Sequence, residues 1–374
     1  MIRIALRSLF HDRSKLLASM AGITFAAVLV LVQLGLYAGF LHTSSSTIER
    51  VGGDVWVMPR GTEVIDSVET LSAGTRSLVA SHPCVARARP LVFAWAFVRK
   101  AGGTRDTVRV VSFERDSTPI VPWSLAEGLP SDLHAPQRVA IDGFDVKKLQ
   151  IAGPALGASL QIGGQSVKVA AITKGVRSFT LLPFVFAQID DARKMAGFNE
   201  GETNFWVLDL HDKACATDVI HAIEKHPELQ ALPRDVFLTR TQDYWVIGSG
   251  IGAVLSFTAL LAMVVGVVVV GQTLFTITKD YQRELATLKA LGARGSELIG
   301  FVLWQAAFLA LVGCVGGLVL AFAIRGSAVD AGLVIVLSPK VVVTSLLTIV
   351  AMCAVASVMS VRRVLRLDAA EVFQ

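Results

Sequence analysis

Four long stretches of the chain contain no acidic or basic residue, and they constrain the fold more than any other feature. They cover residues 16–41, 244–278, 298–324 and 341–361. A helix rises about 1.5 Å per residue, so each stretch can cross a hydrocarbon core of about 30 Å. They also explain why 53% of the 374 residues are hydrophobic and only 17% are charged, which is unusual for a soluble protein. The sequence therefore predicts a membrane protein with four transmembrane α-helices.

The first stretch could be a cleaved secretory signal or a retained anchor. Basic residues precede it, as they precede a signal, at Arg3, Arg7, Arg13 and Lys15. However, its 26 uncharged residues far exceed the roughly 7 to 15 residues of a signal core, and no convincing small-residue cleavage site follows. We expect a retained transmembrane helix.

Basic residues beside the helix ends predict the orientation of the chain. They cluster before helix 1, between helices 2 and 3, and after helix 4. All three clusters are cytoplasmic if both termini are inside, as the positive-inside rule favours. We therefore expect residues 1–41 to form the N-terminus and helix 1, residues 42–243 an extracytoplasmic domain, and residues 244–374 helices 2 to 4. The net charge of +5 then reflects topology and anionic lipid, so nucleic-acid binding is not expected.

The predicted outer domain has mixed α/β character. Alternating segments predict strands over 54–58, 91–100 and 106–113, a hairpin over 159–173, and helices over 72–82, 190–198 and 214–226. Cys84 and Cys215 both lie in this domain. They could pair in an oxidising compartment, or they could be two unrelated thiols.

Helix 2 is longer than a membrane requires. Its 35 uncharged residues would reach roughly 50 Å, well beyond the hydrocarbon core. Gly248, Gly250 and Gly252 weaken its outer end. We expect helices 1 and 2 to extend outward as a short stalk, and simple tilting of helix 2 is the alternative.

Catalytic motifs are missing from the sequence. No Gly-Lys dipeptide occurs, so the chain has no P-loop, and any ATP must be bound by another subunit. His221 and His226 are five residues apart, which does not align them on one helical face for a metal. No HExxH or Gly-x-Ser-x-Gly motif is present. We expect no enzymatic activity, no metal and no cofactor in this chain.

Small residues four apart recur in the apolar stretches. The pairs are Gly35 with Gly39, Gly248 with Gly252, and Gly313 with Gly317. Such pairs let helix backbones approach closely, either within one bundle or between two copies of the chain.

A charged segment over residues 279–292 separates helices 2 and 3. It predicts an amphipathic helix with an apolar stripe of Tyr281, Leu285, Leu288 and Leu291 or Gly292, and with Lys279, Gln282, Arg283, Glu284 and Lys289 on its other faces. The helix could lie on lipid headgroups or merely connect two spans. Since a connection needs only a few residues, a helix of two to three turns favours a docking site for a partner.

The same segment resembles a known family. "RELATLKALGA" at 283–293 is similar to the coupling helix of the FtsX/MacB-type ABC transporter permeases. "GDVWVMPRG" at 53–61 and "RRVLRLDAAEVF" at 362–373 also resemble segments of that family, although Ala369 replaces its usual proline. The topology of one helix, a large outer domain and three further helices matches as well. The outer domain resembles the DevC-like branch most closely.

The resemblance implies a mechanical role in transport. Arg283 and Glu284 would contact polar groups in a groove of a separate ATPase subunit, which binds ATP and Mg²⁺. Leu285 and Leu288 would fill the apolar floor of that groove, and Gly292 would allow the turn into helix 3. The implied partners are a second permease copy, a periplasmic membrane-fusion adaptor and an outer-membrane channel.

Two functions fit this resemblance. One is an ABC exporter permease that moves a lipid-like or hydrophobic substrate outward. The other is an FtsX-like transmitter that activates a cell-wall hydrolase outside the cytoplasm. The outer domain of such transmitters is usually much shorter than residues 42–243, so export is favoured.

Overall fold

The architecture follows from a computed structural model, which describes residues 13–100, 102–114, 122–282, 286–287, 289, 293–330 and 332–365. In chain order the elements are α1 (Arg13–Val51), β1 (Val55–Pro59), α2 (Thr75–Ala80), β2 (Val85–Leu91), β3 (Phe93–Arg99), β4 (Arg105–Phe113), β5 (Leu125–Glu127), β6 (Arg138–Asp142), α3 (Asp145–Lys148), β7 (Ser159–Ile162), β8 (Gln165–Thr173), β9 (Phe184–Gln188), α4 (Ile189–Ala196), β10 (Phe205–Leu210), α5 (Ala216–Glu224), β11 (Leu229–Pro233), α6 (Arg234–Asp243), α7 (Ile251–Asp280), α8 (Gly295–Asp330) and α9 (Pro339–Leu365).

These elements form two compact units. The described residues of Met1–Gly39 and Ile251–Gln374 make up the helical unit, and those of Phe40–Gly250 make up the α/β unit. Among the residues that the structure describes, four helices are long and apolar enough to cross a membrane, namely α1, α7, α8 and α9. The α/β unit lies between the first and second of them in sequence. The predicted fold class is therefore confirmed.

The helical unit is held together by a small apolar core and by polar contacts between helices. The core includes Ile23, Ala27, Leu309 and Met352, all of them buried. The Gln33 amide of α1 donates to the Thr258 hydroxyl of α7 at 2.5 Å. An amide inside an apolar span needs a partner, and a neighbouring helix supplies it here.

A four-stranded antiparallel sheet forms one part of the α/β unit. Its strand order is β11-β1-β10-β2. On one face, Val57 and Trp206 pack against Val79 of α2 and Val219 of α5. On the other face, Trp56 and Phe205 join a second core. Both faces are therefore apolar, which is why "VWVMP" of β1 is continuously buried.

The remaining strands form a sheet that closes on itself. The order β5-β8-β6-β9-β4-β3-β7 is completed by a further pairing of β7 with β8, so six strands make a small barrel and β5 extends β8. Side chains alternate along each strand, and the inward set fills the interior, as with Ala94, Val108, Val139 and Leu160. The predicted hairpin over 159–173 is present as β7 and β8 around Gly163 and Gly164.

Helix α1 is longer than its apolar stretch. Beyond residue 41, the hydroxyls of Thr43, Ser44 and Ser45 donate to carbonyls three or four residues earlier. Ile48 and Val51 are buried in the core of the α/β unit. Burial and local hydrogen bonds therefore extend this helix, which mean hydropathy alone does not predict.

The second apolar stretch is not one continuous helix. A π-helical turn at Tyr244–Gly248 follows α6, and α7 begins only at Ile251. Gly250 has φ +75°, which a right-handed helix does not permit and which glycine adopts most readily. The break lies where the glycines lower the helix propensity of the sequence.

Cys84 and Cys215 form a disulfide with a Cα–Cα distance of 6.3 Å. The bond links the segment before β2 to the residue before α5, 131 positions along the chain. It therefore ties the edge strand β2 of the four-stranded sheet to helix α5, which packs on one face of that sheet, and it decides between the two alternatives that the sequence left open.

Candidate functional site

Three aromatic side chains of the α/β unit meet where α1 and the π-helical turn after α6 lie against a loop of the barrel. Phe179, in the loop 174–183 between β8 and β9, lies 5.4 Å from Phe40 of α1 and 4.4 Å from Trp245 of the π-helical turn, measured between ring centroids. Both ring pairs are edge-to-face, a favourable geometry for aromatic rings. A single loop of the barrel therefore contacts both chain segments that border the helical unit in sequence. We call Phe40, Phe179, Trp245, Asp66 and Arg109 the junction.

The loop 174–183 is anchored to the barrel through Asp142 at the end of β6. This buried carboxylate accepts hydrogen bonds from the backbone N–H of Val176 at 2.8 Å and from the hydroxyl of Thr173 at 3.2 Å. It also pairs with Arg177 at 2.5 Å, and the Arg177 guanidinium lies 4.0 Å above the Phe144 ring. One end of the loop is thus fixed on the sheet, while Phe179 contacts α1 and the π-helical turn.

A buried ion pair completes the junction. The Arg109 guanidinium of β4 donates to Asp66, and the two side chains are 1% and 10% exposed. Arg109 also lies over the Phe93 ring at 4.5 Å and the Trp95 ring at 4.9 Å. The indole N–H of Trp245 lies near the same carboxylate without a hydrogen-bond partner among the described residues. The ion pair therefore lies beside the π-helical turn.

The ion pair is electrostatically costly. Burial raises the pKa of Asp66 against the opposing attraction of Arg109, and burial lowers the pKa of Arg109 to about 10. Both shifts disfavour the charged forms, so desolvation outweighs the attraction. The Nη1 atom of Arg109 is buried without a hydrogen-bond partner among the described residues. Such a pair fixes a geometry more than it adds stability.

Most of the predicted coupling helix falls outside the described residues. This applies to Arg283, Glu284, Leu285, Leu288, Leu291 and Gly292. Of the two remaining residues, Tyr281 packs against the core of the helical unit, and Lys289 is half-buried.

Two of the predicted glycine pairs lie at close approaches within the helical unit. A Cβ at Gly317 of α8 would come within 2.5 Å of the Ala27 Cβ of α1, and a Cβ at Gly313 would overlap Ile23. Gly35 and Gly39 of α1 instead face the segment that connects α8 to α9. Gly35 accepts a hydrogen bond from the Val336 N–H at 3.0 Å, and a Cβ at Gly39 would overlap the Val334 carbonyl. One pair therefore borders a helix, and the other borders an extended segment.

The third pair, Gly248 and Gly252, does not lie on one helix. Gly248 ends the π-helical turn, Gly252 belongs to α7, and Gly250 breaks the helix between them. The four-residue spacing therefore does not place both glycines on a common helical face.

The sequence analysis did not identify the junction residues. A detectable signal existed for Arg109, because a charge between Val108 and Val110 in an apolar strand requires a buried partner. Nothing in the sequence places Asp66 beside it, since the two lie 43 residues apart. In the part of the chain that the structure describes, no three His, Cys, Asp or Glu side chains gather as metal ligands.

Two family profiles together cover nearly the whole chain. The MacB-like periplasmic core domain matches residues 16–226, and the FtsX-like permease C-terminal domain matches residues 245–369. This chain belongs to the FtsX/MacB-type ABC transporter permeases. The junction thus lies in the MacB-like part of the permease, apart from Trp245, which falls at the start of the FtsX-like part.

Individual relatives agree with this assignment. An uncharacterized ABC transporter permease of Mycobacterium bovis is 22% identical over 100% of this permease and 99% of its own length. A second, from Mycobacterium tuberculosis, is 23% identical with the same coverage. Among solved structures, the periplasmic region of MacB from Actinobacillus actinomycetemcomitans is 10% identical, covers 50% of this permease and 91% of that chain, and has a TM-score of 0.38.

Removing one partner of the buried ion pair should destabilise the α/β unit more than removing both. Asp66→Ala leaves the Arg109 guanidinium buried without a counter-charge, which should lower the free energy of unfolding by about 3–5 kcal/mol. The double variant Asp66→Leu with Arg109→Met replaces the pair by apolar groups, and its stability should lie much closer to that of the wild type. Chemical unfolding of the purified permease measures both. Equal losses in the single and double variants would contradict this interpretation.

The stability of the α/β unit should depend on pH through Asp145, which lies in α3 beside the anchor Asp142. Burial and the neighbouring Asp142 carboxylate raise the pKa of Asp145 from 3.8 to about 7, against the opposing charges of Arg177 and Lys148. Between about pH 4 and 7, Asp145 therefore keeps its proton in the folded state but has lost it in the unfolded chain. This difference in proton binding stabilises the folded state. The stabilisation is fully present below about pH 4 and is lost as pH rises through 7.

The variant Asp145→Asn should remove this dependence, so its stability should fall less between pH 5 and 8 than that of the wild type. Unfolding followed by tryptophan fluorescence across that range measures the difference. Asp218→Asn, at an exposed position of α5, is the control and should follow the wild type. Parallel curves for the wild type and Asp145→Asn would show that Asp145 does not titrate in this way.

Proposed function

We propose that this permease is the membrane subunit of an ABC exporter that moves a lipid-like or hydrophobic substrate outward. A separate ATPase subunit binds ATP and Mg²⁺, and the permease transmits its movement mechanically to the α/β unit. Membership of the permease family supports the transport role.

The observation that carries the mechanical proposal is the continuity of α1. Its 39 residues extend about 58 Å, which is nearly twice a hydrocarbon core. The residues up to Gly39 belong to the helical unit, and Ile48 and Val51 are buried in the α/β unit. A continuous α-helix is stiff, so a displacement at one end of α1 would reach the other.

The junction offers a second route for the same movement. The backbone is irregular at Tyr244–Gly250, where a π-helical turn and a glycine with positive φ replace α-helix. Irregular turns of this kind often mark functional hinges. Phe179 contacts Trp245 on this segment, and its loop is fixed to the barrel through Asp142. A movement of the hinge would therefore act on the barrel.

The remaining parts of the proposal rest on the family resemblance. Residues 279–292 dock into the ATPase, with Arg283 and Glu284 as polar contacts and Leu285 and Leu288 as apolar ones. Two copies of the permease assemble in the bacterial inner membrane with both termini cytoplasmic, which places residues 42–243 in the periplasm. There a membrane-fusion adaptor, and through it an outer-membrane channel, complete the export path.

Signal transmission to a cell-wall hydrolase is the alternative function. The α/β unit contains a four-stranded sheet and a closed barrel, which is more structure than a simple transmitter needs. A neighbouring gene for an adaptor supports export, whereas a neighbouring gene for a peptidoglycan hydrolase reverses the order of the two proposals.

The variant Leu288→Asp should separate the permease from its ATPase. A carboxylate placed in an apolar groove without a partner loses binding free energy, so association should weaken by about tenfold or more. Co-purification of the ATPase from membranes measures this association, and membrane insertion should stay unchanged.

Thr287→Asp is the matched control, because it adds the same charge at the adjacent, exposed position. It should retain the ATPase. If the ATPase co-purifies equally with wild type and Leu288→Asp, residues 279–292 do not form the docking helix.

A further inference from the structure

One outward face of the barrel exposes aromatic rings beside arginines. Along β3, alternate residues point outward, and Trp95 and Phe97 are 52% and 66% exposed. Arg99 follows in the same alternation and is also exposed. Large aromatic side chains side by side on a surface commonly mark a binding site. We call Trp95, Phe97, Arg99 and the adjacent Arg105 the aromatic–arginine face.

The two arginines stand directly opposite each other. In the register of β3 with β4, Arg99 pairs with Arg105 and Phe97 pairs with Thr107. Like charges in a direct cross-strand pair are destabilising. Among the described residues, neither guanidinium has a carboxylate within 4.0 Å. An anion placed between the two would remove the repulsion and gain two charged contacts.

The neighbouring acidic residue cannot fill this role. Asp106 of β4 is engaged by Lys100, with 2.6 Å between the Lys100 Nζ and the carboxylate. This hydrogen bond lowers the pKa of Asp106 and holds it in the charged form. The positive charge of Arg99 and Arg105 is therefore left without compensation from this hairpin.

A cavity of about 310 Å³ adjoins the two arginines. Its lining includes Phe97, Arg99, Arg105 and the Gln161 and Gly163 of the neighbouring β7–β8 hairpin. An apolar wall, two guanidinium groups and an amide suit a side chain or short segment that combines carboxylates with an apolar group.

We propose that the aromatic–arginine face binds an acidic segment of a protein partner. Carboxylates of that segment lie between Arg99 and Arg105, and an adjacent apolar side chain packs on Phe97 and Trp95. The inference rests on the proposed function only in placing this face outside the cytoplasm.

Site-specific photocrosslinking in the native host tests this binding. The full-length permease carries p-benzoylphenylalanine at Thr107, which is opposite Phe97 and leaves the face intact. After irradiation of cells, mass spectrometry identifies the crosslinked molecule and the peptide. We expect a protein peptide with at least two acidic residues next to an apolar one.

Charge reversal then tests the arginines. The double variant Arg99→Glu with Arg105→Glu should lower the crosslink yield by about tenfold or more, since each lost interfacial charge pair typically costs enough for such a change. Reversing the partner's two acidic residues to lysine should restore the yield. The control double variant Arg76→Glu with Lys225→Glu changes the charge equally at exposed positions, in α2 and directly after α5, and should crosslink like the wild type.

Several results would overturn the inference. The first three are a crosslink to lipid, a crosslink to a second copy of the permease, and no crosslink at all. The fourth is a crosslink yield that does not change in the double variant Arg99→Glu with Arg105→Glu. Co-purification of the ATPase is measured on the same samples. Its retention in the charge-reversed variant shows that the permease is folded, and its absence from the wild type would count against the proposed function alone.

Discussion

The hydrocarbon core of a membrane contains no water, and this constraint governs most of the structure. Every backbone N–H and C=O within it must find a partner in the protein, so an apolar run of sufficient length becomes a helix. Four such runs give α1, α7, α8 and α9. Once α1 is helical through its apolar part, the Ser and Thr hydroxyls and the buried Ile48 and Val51 continue it into the α/β unit. Helix α1 thus contributes residues to both units.

The junction combines an expensive ion pair with aromatic packing, and this combination fits a transmitting role. A core of apolar residues alone would hold β4 in place more cheaply than Arg109 and Asp66 do. The ion pair instead restricts the orientation of the Arg109 side chain, because the guanidinium must face one carboxylate and two aromatic rings. The Arg109 guanidinium also contacts Trp95, which is the first residue of the aromatic–arginine face. A partner bound to that face would therefore be connected to the hinge at Trp245 through side chains in contact.

Much of the fold could be predicted from the sequence, because periodicity and local signals determine it. The apolar runs, the alternating strands around Gly163 and Gly164, and the α/β character all follow from residues close together in the chain. Closure of the barrel could not be predicted, since it depends on β7 pairing with both β3 and β8. The break at Gly250 was indicated by glycines, but a π-helical turn requires tertiary contacts such as that of Trp245 with Phe179.

Some of the functional residues could likewise be identified from local sequence signals, and others could not. Residues 279–292 could be identified because an amphipathic stripe and a family motif are local features. Asp66, Arg109 and Phe179 could not be identified from the sequence, because they come together only when the barrel packs against α1 and the π-helical turn. The disulfide is intermediate, since the sequence supplied both cysteines of the α/β unit but not the 6.3 Å distance between their Cα atoms.

The central claim is that ATP binding by the partner subunit moves the junction. Hydrogen–deuterium exchange of the assembled ATPase–permease complex in lipid nanodiscs tests this directly, with a hydrolysis-deficient ATPase compared with and without ATP. Mechanical transmission predicts that exchange changes at 244–250 and at 174–183 when ATP binds, while the strands of the barrel stay protected. Identical exchange of both segments in the two states, in a complex shown to bind ATP, would contradict it.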